Sequence, residues 1–363
     1  MYCQECGAEV AERQTFCHRC GARLARLSAD GVRIADKGAP TSTPPEAYQH
    51  MRTTSHTDGR RGNPATLAFA FLSFFVVLVF QIVGLTVVYA TGVDENLTLY
   101  TLSSVACLLM VVGLKGTSML RFDLKSIGRV FRDGWWAIVV GIGLVGFELI
   151  ASSIDGSLTI ESDGMLGRLG YIFVFCILVG IFEELAFRGL CFEGFLAAFG
   201  RTKKGIMACV LASSVLFGLA HVSFTEIDLA VPLTLVQFVL KILQTGVYAV
   251  FLAAMMLRER NFWGCALLHG FDDFLLLIPS FVLMGEEFEA EYVTTGEDAI
   301  AYCLLYAVMI VLYIPLVIKG IKVIREAPAP DFGCLRPDKH EVTRSDRGTS
   351  PSIPHIDSKS DIG

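Results

Sequence analysis

The chain has 363 residues, of which 53% are hydrophobic and only 18% are charged, and its mean hydropathy is +0.56. Soluble domains carry about 25% charged residues, so this composition excludes an ordinary soluble protein and predicts a chain with several membrane-spanning helices. The formal net charge of −6 says little by itself, because the orientation of a membrane protein depends on the charges of its individual loops.

The first segment, residues 1–26, contains two CxxC pairs, CQEC at 3–6 and CHRC at 17–20. Four thiolates at such a spacing are typical of a closed tetrahedral zinc site. Redox-active or disulfide-bonded cysteines are the alternative, which the expected cytoplasmic location of this segment disfavours. We therefore predict a small zinc ribbon whose structural Zn²⁺ is held by Cys3, Cys6, Cys17 and Cys20.

The composition changes sharply on both sides of the apolar region. Residues 27–64 are rich in Ser, Thr, Pro, Gly and charge, which predicts a flexible linker. Residues 65–324 hold the apolar runs and are predicted to form the transmembrane domain. Residues 325–363 are again polar and are predicted to be a disordered cytoplasmic tail.

The apolar region contains eight runs of about 18 residues or more, each long enough to cross a bilayer as a helix. Lys and Arg are concentrated in every second gap between the runs, and the gaps between those are acidic. Because Lys and Arg near span ends stay in the cytoplasm, this alternation predicts a multi-pass protein of the cell membrane with both termini cytoplasmic. The fold class is therefore all-α and polytopic, with about eight spans at 66–90, 97–114, 135–154, 169–188, 205–224, 230–257, 262–284 and 298–320.

The fourth predicted span carries three charges in the sequence IFEELAFRGL at 181–190. An ionisable residue inside a span is costly and is by default a functional candidate. Glu184 and Arg188 are four residues apart, so they share a helix face and can form an ion pair. Glu183 lies about 100° away around the helix and is left for another role.

Two later runs contain the only histidines of the apolar region. In the first, Phe217 precedes His221 by four residues, and in the second, His269 precedes Asp273 by four. A carboxylate and two imidazoles can activate a water molecule or bind a divalent metal. The apolar runs contain no HExxH, serine-protease or GxGD pattern, so the known signatures of other protease classes are missing.

The three motifs in this order resemble those of the CPBP family of intramembrane proteases, the type II CAAX prenyl endopeptidase or ABI group. The matching stretches are EELAFR at 183–188, FGLAH at 217–221 and HGFDD at 269–273, so the resemblance covers about 165–285. It implies that Glu183 activates water, that His221 helps to hold the water or a metal, and that Glu184 and Arg188 form a supporting ion pair. It also implies that His269 and Asp273 stabilise the oxyanion or complete a metal site. It leaves open whether Glu183, His221 and His269 hold a catalytic divalent metal.

The functional expectation is an intramembrane endopeptidase that cleaves membrane-associated proteins or peptides. The alternatives are a non-catalytic immunity or scaffold protein with the same fold and, less favoured, a transporter, which should have paired halves that we do not find. The expected partners are these substrates, the lipid bilayer and a cytoplasmic partner of the zinc ribbon, and no nucleic acid is expected.

Two features of the spans do not fit this scheme simply. Counted at 1.5 Å per residue from the predicted cytoplasmic ends, His221 is about 24 Å deep and His269 about 10 Å deep, although they should share one site. Glu148 and Lys241 lie in other spans. We interpret them as structural, either paired with each other or lining a polar cavity.

Overall fold

The computed structural model describes residues 63–335, apart from positions 224, 226, 229, 288–291 and 297. Every regular element in these residues is helical, which confirms the predicted all-α polytopic class. Eight main helices, α1 to α8 in chain order, form the described part of the chain. They are α1 Pro64–Thr91, α2 Glu95–Gly113, α3 Leu124–Asp155, α4 Met165–Phe199, α5 Lys203–Leu219, α6 Pro232–Glu259, α7 Phe262–Leu276 and α8 Ala299–Glu326.

The number of spans is lower than the eight predicted. Among the described residues, six helices (α1–α4, α6 and α8) are long and apolar enough to cross a membrane. The number is seven if α7 and the segment Ile278–Met284, which bend by 56° relative to each other, count as one broken span. The fifth predicted span, 205–224, corresponds to α5, which ends at Leu219 after 17 residues and is therefore short for a full crossing.

Helix α4 is longer than predicted and contains a change of helix type. Its α-helical part Met165–Glu184 continues as a π-helix over Leu185–Phe192 and returns to α-helix over Glu193–Phe199. The predicted end at residue 188 is therefore wrong. About 16 helical residues follow Glu183, so α5 begins roughly 24 Å along the axis beyond that glutamate. This longer α4 explains how His221, at the far end of α5, reaches the level of His269.

Local capping explains where several helices begin. Asn63 accepts hydrogen bonds from the backbone N–H groups of Ala65 and Thr66, and Pro64 occupies the first turn of α1, where its missing N–H has no cost. Arg260 has a left-handed backbone conformation (φ 54°) that ends α6. Asn261 then caps α7. This abrupt turn makes α6 and α7 consecutive helices with a very short connection.

Helix α6 is the central helix of the bundle. In its apolar window 61% of the residues are buried, against 17–28% for the other candidate spans. It packs against α5 on one side and α8 on another, and α7 packs between α3 and α4. The outer helices expose large apolar side chains such as Phe75, Ile82 and Ile142, as expected for surfaces that contact lipid chains.

Residues 327–335 correct the prediction that the tail is disordered from residue 325 onward. Arg260, at the α6–α7 turn, forms an ion pair with Asp331. The backbone N–H of Cys334 donates to the carboxylate of the buried Glu193. Leu335 is only 3% exposed. The chain after α8 therefore lies against the end of the helical bundle.

Some predictions concern residues outside the described part of the chain. These are the zinc ribbon at 1–26, the linker at 27–64 except its last two residues, and the remainder of the tail from 336. They stay predictions, as does the cytoplasmic location of the termini.

Candidate active site

The ion pair predicted in α4 lies at the junction between its α-helical and π-helical parts. Glu184 ends the α-helical part and Arg188 lies in the π segment, and both side chains are fully buried. Arg188 Nη1 is 3.0 Å from Glu184 Oε1, an ion-pair distance without hydrogen-bond alignment. The guanidinium also lies 4.0 Å from the centre of the Phe217 ring, a cation–π contact. Arg188 is therefore held by one carboxylate and one aromatic face.

Helix α7 brings His269 to this pair. His269 Nδ1 lies 3.0 Å from Glu184 Oε1, so Nδ1–H donates to the carboxylate and Nε2 points away from it. Two glycines allow α4 and α7 to approach this closely. A Cβ atom on Gly270 would lie 2.5 Å from the carbonyl oxygen of Cys176, and one on Gly180 would lie 2.8 Å from the backbone nitrogen of Gly270. Small residues at a helix contact are a common means of close packing in membranes.

His221 reaches the site from the chain just beyond α5. Its Nδ1 is 2.8 Å from the carbonyl oxygen of Phe217, to which Nδ1–H donates. This hydrogen bond turns Nε2 toward α4, where it lies 3.5 Å from Glu183 Oε2. The Phe217 ring also contacts both histidines, with ring centres 4.5 Å from His221 and 5.6 Å from His269. Phe217 thus contacts both imidazoles and the Arg188 guanidinium and fixes their relative position.

Glu183 lies where the remaining predicted groups meet. Its Oε2 is 3.5 Å from Nε2 of His221 and 3.7 Å from Nε2 of His269. His269 Nε2 is also 3.6 Å from Asp273 Oδ2. These separations exceed a direct hydrogen bond, and Glu183 Oε2 has no hydrogen-bond partner among the described residues. All six predicted site residues are therefore together in three dimensions, and Glu183 keeps an uncommitted oxygen.

The uncommitted side of Glu183 faces a cavity of about 280 Å³. Its walls combine the catalytic candidates with apolar residues of α4 and α7 and with polar and aromatic residues of α2, α6 and α8. The polar lining residues include Glu183, His221, Lys241, Gln244, Tyr248, His269, Asp272 and Asp273. The cavity is large enough for several waters or for a short stretch of peptide.

The two adjacent aspartates of α7 have different surroundings. Asp273 is 30% exposed and shares the cavity with His269. Asp272 is buried, and its Oδ2 accepts a hydrogen bond of 3.2 Å from the hydroxyl of Tyr313 on α8. The structure therefore places Asp273 beside His269, as their four-residue spacing predicts, whereas Asp272 lines the same cavity but is hydrogen-bonded to α8.

Helix α6 contributes a wall of the cavity that sequence reasoning foresaw only in part. The alternative that pairs Lys241 with Glu148 is wrong, since no ion pair joins them. The alternative that Lys241 lines a polar cavity is confirmed, and Gln244 and Tyr248 line the same cavity. These three residues recur at intervals of three and four, the spacing of one helix face. Polar residues that recur at this spacing within an apolar run could have predicted that this face of α6 lines a polar cavity.

The donor types around Glu183 are suitable ligands for a divalent metal. However, no group of three or more His, Cys, Asp or Glu side chains in the described residues has the arrangement needed to hold a metal ion. The predicted catalytic metal at Glu183, His221 and His269 therefore stays a prediction, and we derive no chemical step from it.

The segment that contains the site matches one protein family. Residues 166–275, just under a third of the chain, match the family model described as type II CAAX prenyl endopeptidase Rce1-like. Comparison with curated proteins and with solved structures gives no match. The matched range includes all three motifs and the six predicted site residues. The segment of this membrane protein that carries these site residues is thus similar to the Rce1-like type II CAAX prenyl endopeptidases.

Proposed function

We propose that this protein is an intramembrane endopeptidase that hydrolyses peptide bonds of membrane-associated proteins or peptides. The observation that carries the proposal is the position of Glu183 Oε2, which lies within 3.7 Å of the Nε2 atoms of both His221 and His269 at the wall of a cavity. A carboxylate with a free oxygen beside two oriented imidazoles is suited to deprotonating a water molecule. The similarity of residues 166–275 to a family of endopeptidases supports the same reaction.

The proposed reaction begins with a water molecule held against Glu183 and the Nε2 atom of His221. Glu183 takes a proton from the water as the oxygen forms a bond to the carbonyl carbon of the substrate. The carbonyl double bond becomes a single bond to an oxyanion. Collapse of this tetrahedral intermediate breaks the C–N bond, and Glu183 returns its proton to the leaving amine, so the net reaction consumes one water per bond cleaved.

Oxyanion stabilisation is assigned to His269. Its Nδ1–H is committed to Glu184, and its Nε2 faces the cavity, where a proton on that nitrogen can be donated to the oxyanion. Glu184 and Arg188 act through His269, because they hold the ring in this orientation without reaching the cavity. They are therefore positioning residues. Asp273 lies on the cavity side of the site, with its Oδ2 atom 3.6 Å from Nε2 of His269.

The test compares new protein N-termini in membranes that contain the wild-type protein with those that contain Glu183→Gln. Glu183→Gln keeps the shape of the side chain and removes the base, so we expect substrate N-termini to fall by roughly 10²–10⁴-fold. The matched control is Glu287→Gln, which removes a carboxylate from an exposed position. If Glu183→Gln membranes keep the same new N-termini, the protease proposal fails. The non-catalytic scaffold would then be the better interpretation.

The zinc predictions are tested by elemental analysis of the purified full-length protein. We expect about one zinc per chain, held by the predicted ribbon, and its loss in a Cys3→Ser, Cys6→Ser variant. A second equivalent of a divalent metal that disappears in His221→Ala would support the catalytic metal. No metal in the wild-type protein would contradict the ribbon.

A further inference from the structure

Helix α6 presents a polar stripe to the cavity that the proposed reaction does not use. Its members are Lys241, Gln244, Thr245 and Tyr248, which all line the cavity. Gln244 and Tyr248 are 7% and 5% exposed, yet Gln244 Oε1 and the Tyr248 hydroxyl have no hydrogen-bond partner among the described residues. Buried polar atoms are nearly always paired, so these two atoms indicate a missing polar ligand.

Lys241 is held against two aromatic rings. Its Nζ lies 4.0 Å from the ring centre of Tyr292 and 5.4 Å from that of Tyr306. The Tyr306 hydroxyl donates a hydrogen bond of 2.8 Å to the carbonyl oxygen of Tyr292, which ties the two residues together. Aromatic faces attract an ammonium group but leave its charge unneutralised.

No carboxylate in the described part of the chain lies within ion-pair distance of Lys241. The cavity does contain Glu183 and Asp273, but neither forms an ion pair with this lysine. By contrast, Lys319 is paired with Asp133 at 3.0 Å. An ammonium group inside a membrane protein is costly without a counter-ion. Asp273 and Glu183 act on Lys241 only through space across the cavity, so among the described residues its ammonium group has no carboxylate in direct contact.

Lys241 is separated from the hydrolytic centre. Lys241 and Tyr248 are seven residues apart on α6, which corresponds to about 10 Å along the helix. The Tyr248 ring centre lies 6.1 Å from that of His269. Lys241 thus lies about two helix turns from Tyr248, the α6 residue that contacts His269, so a group bound at Lys241 belongs to a part of the substrate next to the scissile bond. Gln244 and Tyr248 lie between the two positions.

We propose that Lys241 is a specificity residue that binds a carboxylate of the substrate peptide, while Gln244 and Tyr248 hydrogen-bond the peptide between that carboxylate and the scissile bond. This inference rests on the proposed function and names a chemical feature of its substrates. A free C-terminal carboxylate and an Asp or Glu side chain are the two sources of that group.

The test measures peptide binding to full-length Glu183→Gln protein in lipid nanodiscs, where no cleavage occurs. The probes are fluorescent apolar peptides of one sequence in three forms: a free C-terminus, a C-terminal amide, and an amide with one internal Glu. We expect at least one carboxylate form to bind roughly tenfold or more tightly than the plain amide, the size typical of a charged hydrogen bond. The peptide form that binds more tightly than the plain amide identifies the source of the carboxylate.

The same measurements on Lys241 variants decide whether this lysine is responsible. We expect Lys241→Met to abolish the preference and Lys241→Arg to retain it, with thermal unfolding used to check that both variants fold. Lys125→Met, which removes an exposed lysine at the start of α3, should leave the preference unchanged.

Equal binding of all three forms, absence of binding, or a preference that persists in Lys241→Met would overturn the inference. Cleavage assays with the wild-type protein separate this failure from failure of the proposed function. Cleavage without carboxylate preference contradicts the role of Lys241 alone. Binding with carboxylate preference but no cleavage contradicts the proposed function and leaves the role of Lys241 intact.

Discussion

Glu184 Oε1 lies 3.0 Å from His269 Nδ1, and the same oxygen is 3.0 Å from Arg188 Nη1. A single buried carboxylate therefore both orients an imidazole of the site and compensates a buried guanidinium. The adjacent Glu183 has different surroundings, because it lines the cavity and its Oε2 has no hydrogen-bond partner in the described residues. Two neighbouring glutamates of one helix thus have different partners, and only Glu183 lines the cavity.

Replacement of Glu184 should affect stability more than replacement of Glu183. Glu184→Gln leaves the Arg188 charge buried without its carboxylate, so we expect the free energy of unfolding to fall by about 3–5 kcal/mol. Glu183→Gln should change it by less than about 1 kcal/mol, since that side chain lies at the cavity wall. Thermal or denaturant unfolding in detergent measures both.

The double variant Glu184→Met, Arg188→Met is the control for this argument. It removes both charges, so we expect it to recover part of the stability that Glu184→Gln loses. A Glu184→Gln protein as stable as the wild type would show that the ion pair is unimportant. Neither variant should hydrolyse peptides normally, because His269 loses its orienting acceptor.

The contact between α4 and α7 predicts a strong effect of one added methyl group. Gly270→Ala would place its Cβ atom 2.5 Å from the Cys176 carbonyl oxygen, so the helices must separate. We expect a loss of about 1–3 kcal/mol of stability and a large loss of peptide hydrolysis. Gly170→Ala in α4 is the matched control, since nothing lies within 4 Å of its added Cβ. Equal behaviour of the two variants would contradict this account.

The separate surroundings of Asp272 and Asp273 predict different consequences for the same substitution. Asp273→Asn keeps a polar group beside His269, so we expect hydrolysis within about tenfold of wild type, whereas Asp273→Leu should lose roughly 10²-fold or more. Asp272→Asn should keep hydrolysis and alter mainly stability, through its hydrogen bond with Tyr313. Kinetics with a cleaved peptide and unfolding curves distinguish the two positions. A greater loss of hydrolysis in Asp272→Asn than in Asp273→Leu would reverse the assignment.

The packed segment 327–335 can be tested through Cys334. Burial raises the pKa of the Cys334 thiol to about 12, so at pH 8 the thiol is protonated and should react slowly with iodoacetamide. Asp331→Asn weakens the contact with Arg260 that holds this segment. We expect faster alkylation of Cys334 in this variant, measured by mass spectrometry of the modified peptide. In the wild-type protein, the alkylation rate of Cys334 should rise with pH only above the pKa range of an ordinary thiol.

The control for the Cys334 experiment is Asp155→Asn, which changes an exposed aspartate at the end of α3. It should leave the alkylation rate unchanged. Rapid alkylation of Cys334 in the wild-type protein at pH 8 would mean that the segment does not stay packed.

The sequence by itself was sufficient for the all-α polytopic class and for the six site residues that the structure brings together. Long apolar runs require helices in a membrane, because backbone hydrogen bonds must be satisfied within the segment. Charges such as Glu183 and Arg188 are conspicuous in such runs, and four-residue spacings place pairs such as His269 and Asp273 on one helix face. These properties are local, so they can be inferred from neighbouring positions along the chain.

Tertiary structure decided which helix faces meet. The π segment extends α4 to Phe199 and allows His221, at the end of a short α5, to reach Glu183. Lys241 could have faced lipid, Glu148 or the cavity, and only the packing of α6 between α5 and α8 selects the cavity. The order of residues 327–335 likewise depends on Arg260, which is distant in sequence. Contacts between remote segments depend on how whole helices pack, and helix periodicity alone does not contain that information.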